Sequence, residues 1–174
     1  MNILESLGGQ FRHMEWADAM VWRAVMDCEA ALADDQMAVW LHHIHMVQRA
    51  FLRVWQEQAF AYDEGSGLRG AELAAWGQAY YQEIYPFLDG LTESDLARPV
   101  TLPWVDFITA HFGRAPETPT LGETLTQVVS HSLYHRGQVN ARLRALGGTP
   151  PLVDYIAWVW LGKPGAAYSP TGSA

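Results

Sequence analysis

A chain of 174 residues is the size of one domain with a core of its own, and an apolar share of 49% against 17% charged excludes a disordered chain. The net charge of −8, with eleven Lys and Arg scattered among nineteen acids, removes nucleic acids and acidic membrane surfaces as partners, since both need clustered cations. One cysteine, Cys28, excludes an internal disulfide and any CxxC zinc or redox motif.

The first predicted element covers residues 4–32, where Leu4, Leu7, Phe11, Met14, Val21, Val25, Cys28 and Leu32 recur at three- and four-residue spacing. Asp18 is the one acid on that stripe. "ADDQ" (33–36) offers an N-cap for a second helix, expected from Met37 to Tyr62 with Trp40, Ile44, Val47, Phe51 and Val54 inward. "DEGSG" (63–67) breaks it. A third helix fits 69–88, with Leu73, Trp76, Tyr80, Ile84 and Phe87 on one side and Pro86 set to shorten its last turn. "LTESDL" (91–96) reads as a single helical turn.

Residues 98–119 hold Pro99, Pro103, Pro116 and Pro119, a composition suited to extended chain with room for a short hairpin. "TLGE" (120–123) then forms a capping box and opens the last long helix, whose stripe is Leu121, Leu125, Val128, His135, Val139, Arg142 and Leu146. Gly147, Gly148, Pro150 and Pro151 end it, "DYIAWVWL" (154–161) suggests a short C-terminal helix, and a flexible tail is expected over 163–174. The whole predicts an all-α four-helix bundle over residues 1–162, with a long extended crossover before the last long helix. No basic segment precedes a long apolar run, and no stretch of about 18 apolar residues occurs, so a soluble cytoplasmic protein is expected.

Seven histidines stand out, and His131 and His135 lie four apart on the last long helix, where two imidazoles can reach one ion. His43 falls on the inward stripe of the second helix, while His42 and His45 fall toward its flanks. Three histidines from two facing helices would leave a fourth coordination position open, as catalytic metals require. Ser132 occupies the position where a His-Glu-x-x-His protease needs its glutamate, so that mechanism is excluded. The competing readings are histidines hydrogen-bonded inside the core, to Asp18 or a carbonyl, and histidines at helix edges. Asp18 reads equally as a partner behind the metal ligands or as a bridge to an Arg across the bundle. Gln138, on the same side as His131, reads as a contact to a ligand or as packing. Arg136 is turned roughly 100° from His135 and is expected in a surface or dimer salt bridge. Trp16, Trp40 and Trp104 are candidates for a groove or for the core.

"HSLYHRGQVNARLRALGGTPPLVDYIAW" (131–158) resembles the C-terminal signature of the DinB/YfiT-like family. "HIHMVQRAFL" (43–52) is similar to that family's second-helix motif, with Gln48 where an acid is usual, and "EWADAMVWRAV" (15–25) to its first helix, with Asp18 in place of Asn. The resemblance implies a four-helix bundle binding a divalent metal, zinc or nickel most often, through His43, His131 and His135. It implies a small-molecule substrate, a homodimer, and a thiol-dependent transferase or isomerase using a low-molecular-weight thiol on electrophiles. A metal-activated water acting on a small ester or amide, and a metal-binding stress-response protein without catalysis, are the alternatives.

Overall fold

The computed structural model of the protein describes residues 2–168. Seven α-helices follow in order: α1 (Ile3–Met26), α2 (Glu29–Leu32), α3 (Asp35–Trp55), α4 (Gly70–Asp89), α5 (Val105–Phe112), α6 (Leu121–Ala145) and α7 (Tyr155–Trp160), with a 3-10 turn at Glu93–Ala97. The four long ones, α1, α3, α4 and α6, form the expected bundle. α6 packs on α3 and α1, and α4 packs on the same two from the opposite side. Among the described residues no strand forms; the crossover makes only an isolated antiparallel bridge between Pro99 and Thr120.

Local chemistry sets the helix starts. Asn2 caps α1 and Thr120 caps α6, each in a capping box with the glutamate three residues on, a motif in which two orphan backbone donors are satisfied. Asp34 caps α3 by accepting from the Met37 N–H at 2.8 Å.

Helix ends depart from the sequence expectation in three places. The first helix stops at Met26, because Cys28 takes an extended conformation before the four-residue α2 reverses the chain. Cys28 and Leu32 continue the apolar spacing, which carries no signal for the reversal. The second helix ends at Trp55 rather than Tyr62, with Glu57 in the left-handed region at φ 57 and no glycine to announce the stop. The crossover is not extended throughout, since "VDFITAHF" forms α5, closed by Gly113 at φ 70. All four prolines of that stretch lie outside those eight residues. Pro86, by contrast, is accommodated inside α4; the carbonyl it leaves without a donor belongs to Gln82, which is exposed to water.

Two apolar clusters fill the bundle. One gathers Phe11, Met14, Phe51, Trp55, Ile84 and Leu125, and the other Trp22, Val25, Leu41, Ile44, Leu73 and Val139. Between them in the sequences of α1, α3 and α6 lie buried polar residues: Asp18, His45, Gln48, Ser132 and Arg136. Arg136 is the clearest correction to the sequence reading. It is 2% exposed and donates through Nη1 to Asp18 Oδ1 at 2.6 Å, instead of lying at a surface. His45, expected on a flank, is 1% exposed. Its Nε2 accepts from the Trp22 indole at 2.8 Å, so the proton sits on Nδ1 and is donated to Gln48 Oε1 at 2.8 Å. The Gln48 amide nitrogen then donates to Asp18 Oδ2 at 3.0 Å and to Ser132 Oγ at 3.2 Å, and the Tyr81 hydroxyl donates to the same Asp18 oxygen.

Burial by itself pushes the Asp18 carboxyl up, but Arg136, then His45 and the hydrogen bonds from Tyr81 and Gln48, outweigh it and hold the group below the usual carboxylate range. Gly77 lets α4 approach, since a Cβ there would lie 2.4 Å from His45 Nε2. The residues after α7 turn back on the bundle as far as they are described: the Trp158 indole donates to the Pro164 carbonyl at 2.9 Å, and Tyr168 packs on the second apolar cluster. The rest of the expected tail, 169–174, lies outside the described residues.

Two substitutions test this interior. Asp18→Ala strands a buried guanidinium and is expected to cost about 3–5 kcal/mol, and Gly77→Ala about 1–3 kcal/mol through the clash with His45. Urea denaturation of the two variants, with unchanged stability in either one, would show that the buried contacts of that residue are not what holds the bundle.

Candidate metal centre

α3 and α6 cross with His43 on one and His131 and His135 on the other. The His43 and His131 Nε2 atoms approach to 3.1 Å, and the His135 ring centroid lies 4.6 Å from that of His43 and 4.3 Å from that of His131. One ligand atom from each of the three falls within 4.8 Å of the others. The position of α6 explains this convergence: Ser132 and Arg136 point into the bundle, so their predecessors His131 and His135 are turned roughly 100° away, toward the seam with α3. All three imidazoles are half-buried there.

Protonation favours ligation. Burial, then the neighbouring His135 and His43, lowers the His131 imidazole to about 4. Burial, then His135 and His42, lowers His43 in the same direction. Both are therefore neutral near pH 7, with a lone pair available, as a metal ligand must be. His135 donates from Nδ1 to Gln138 Oε1 at 2.7 Å, which leaves its Nε2 lone pair free. A tetrahedral ion with metal–nitrogen distances of about 2.0–2.1 Å separates its ligand nitrogens by about 3.3–3.4 Å. The 3.1 Å approach of His43 and His131 is close to that separation, so the residues present fit a divalent ion.

Of the other residues singled out in the sequence, Gln138 lies beside His135 as described, whereas Asp18 gives its oxygens to Arg136, Gln48 and Tyr81. Trp16 is core and Trp40 packs on the second apolar cluster. Trp104 lines a cavity of about 330 Å³ that opens beside His43 and His131. Phe60, Tyr62 and Gln127 line it too, and sequence reasoning missed them. Phe60 and Tyr62 lie in irregular chain after α3, where no periodicity marks a side chain's direction. His111 sits on exposed α5 against Phe107 and Phe112. Among the described residues no helix is long and apolar enough to cross a membrane.

A sequence profile of the DinB family matches residues 27–165. That span contains His43, His131, His135 and Gln138 and leaves out α1, so the likeness noted for residues 15–25 lies outside it. No curated protein matches the chain.

Two measurements follow from this geometry. Zinc or nickel added to metal-free protein purified without a histidine tag should raise the melting temperature, by about 2.7 kcal/mol of stabilisation at a hundredfold excess over Kd. The increment should vanish in His131→Ala; an equal increment in that variant would place the ion elsewhere. Without metal, stability should fall as pH drops from 7.5 toward 5. His43 and His131 have folded-state values below the ordinary histidine value of about 6.5, so the unfolded chain takes up protons first and gains on the native state. A melting temperature that stays flat or rises across that interval would contradict the burial assigned to these rings.

Proposed function

The chain belongs to the DinB family, and from that membership and the three converging imidazoles we propose that it is a divalent-metal-dependent enzyme, with His43, His131 and His135 holding zinc or nickel. The observation that carries this reading is the 3.1 Å approach of the His43 and His131 nitrogens at the mouth of a cavity. When bound there, such an ion supplies Lewis acidity and lowers the pKa of a coordinated thiol or water.

The reaction we assign is transfer of a low-molecular-weight thiol to a small electrophile. Among the described residues no carboxylate lines the cavity, so either nucleophile would lose its proton to solvent through the ion's own effect on its pKa. A free thiol starts at about 8.5 and water at about 15.7, so the thiol is the one more readily held as an anion at neutral pH, the electrophile's leaving group departing as the carbon–sulfur bond forms. Gln138 serves as a positioning residue: by accepting a hydrogen bond from His135 Nδ1–H it holds the ring with Nε2 outward. Phe51, Phe60 and Trp104 give the cavity an aromatic wall.

The same reading places the protein in the cytoplasm, where thiols are kept reduced, and pairs it into a homodimer. Support for the dimer comes from Leu133, Leu152 and Tyr155, which are exposed although they line one groove beside α6.

The test is turnover of 1-chloro-2,4-dinitrobenzene with a panel of small thiols, on protein reconstituted with zinc or nickel. Thiol-stimulated, metal-dependent turnover lost in His131→Ala is expected, together with metal affinity reduced about 10–100-fold in Gln138→Ala. Stoichiometric metal without turnover on any thiol would leave a metal-binding protein and remove the transferase assignment.

A further inference from the structure

The cavity beside His43 and His131 has a chemical character that narrows what it takes. Its floor is Met46, Val47 and Ala50 of α3, and its far side is Phe107 and Ile108 of α5. Rings close the end away from the histidines. Trp104 stands edge-on to Phe51 with centroids 5.0 Å apart and to Phe60 at 6.5 Å, and Phe60 meets Tyr62 at 4.7 Å. Among the described residues no Lys, Arg, Asp or Glu lines the space, and outside the two histidines its one amide is Gln127.

We propose, resting on the enzyme reading above, that the substrate body held in this slot is an uncharged aromatic or alicyclic molecule of one or two rings, its reactive end toward His43 and His131. The volume of about 330 Å³ is at the small end for ligand pockets; it holds roughly ten waters, at about 30 Å³ each. The walls those waters meet are mostly hydrocarbon and ring faces, so their release favours an apolar guest. An ion placed among these side chains, away from the histidines, would lose its hydration with no charged side chain to replace it. The edge-on rings also suit a flat guest, since aromatic pairs favour tilted or offset contact.

α5 gives the slot its outer wall without contributing to the core: none of its residues is buried, and Phe107 is 70% exposed. A substitution there alters the slot while leaving the bundle's packing in place.

The experiment titrates metal-free protein at pH 7 with three probes on one skeleton: 2-naphthol, 2-naphthoate and trimethyl-(2-naphthyl)ammonium. Calorimetry is run on the wild type, on Trp104→Ala and on Ile108→Trp, with melting curves to confirm that each variant is folded. The expected result is 2-naphthol binding about tenfold or more tighter than either ion, with that binding lost in Ile108→Trp and weakened in Trp104→Ala. Equal or tighter binding of either ion overturns the proposal, as does naphthol binding that survives both variants, or the absence of saturable binding. Metal uptake measured on the same preparations separates the two readings. One ion per chain with no naphthol binding overturns the slot assignment and leaves the metal centre standing. Naphthol binding with no ion under any loading condition supports the slot as a neutral apolar site and removes the metal-dependent reaction instead.

Discussion

The Asp18–Arg136 ion pair is the contact on which the rest of the polar interior depends. Both side chains are almost wholly buried, so each charge has given up water and is tolerable only because the other is beside it. Once Asp18 Oδ1 is taken by Arg136, its other oxygen receives the Tyr81 hydroxyl and the Gln48 amide nitrogen. That orientation turns the Gln48 carbonyl oxygen toward His45, whose Nδ1 must then carry the proton, leaving Nε2 to accept from Trp22. Each donor and acceptor thus sets the next. The chain of bonds ties α1, α3, α4 and α6 at one level, which apolar packing alone would leave free to slide or rotate.

The consequence for the histidine cluster is rotational. A helix advances 100° per residue, so a buried Ser132 and Arg136 commit His131 and His135 to the adjoining face. On α3 the inward positions are Ile44, His45 and Gln48, and His43 is left at the seam with α6. Three imidazoles therefore meet because polar residues beside them are locked inside. Rotating α6 by one residue would bring the histidines inward and carry a guanidinium to the seam, leaving Asp18 buried without its partner.

This explains what could be read from the sequence. The four long helices and the caps at Asp34 and Thr120 were legible because apolar spacing and capping chemistry are local signals. His131 and His135 were legible as a pair, since their separation by one turn is a property of the chain itself. The stripe assigned to α6 agrees with burial at Leu121, Leu125, Val128 and Val139, but periodicity also counted His135, Arg142 and Leu146 as inward, where Ser132, Arg136 and Leu143 are the buried positions. A buried arginine cannot be distinguished from a surface one by spacing, because its burial depends on an aspartate 118 positions away. His45 was assigned to a flank for the same reason; its partner Trp22 only becomes visible when α1 and α3 are side by side. The end of α3 was hidden because Glu57 adopts a left-handed conformation with no glycine to mark it. With α3 drawn too long, Phe60 and Tyr62 could not be recognised as walls of the cavity.

The two departures from the motifs the chain resembles lie in this same network. The resembled pattern has Asn at position 18 and an acid at position 48; here Asp18 and Gln48 stand there, hydrogen-bonded to each other at 3.0 Å. Considered one at a time, the changes look like damage. An acid at both positions would set two carboxylates against a single buried guanidinium, and an amide at both would leave Arg136 without a countercharge. As they stand, Asp18, Gln48 and Arg136 give the layer one carboxylate, one amide and one guanidinium. Gln48 then presents its carbonyl to His45 Nδ1–H and fixes its tautomer, while burial keeps the ring neutral. An acid at 48 beside the same ring would favour the imidazolium, and a protonated Nε2 could no longer accept from Trp22. Asp18 and Gln48 therefore belong to the packing of α1 against α3, and the three imidazoles at the seam keep the support that α6 needs to present them.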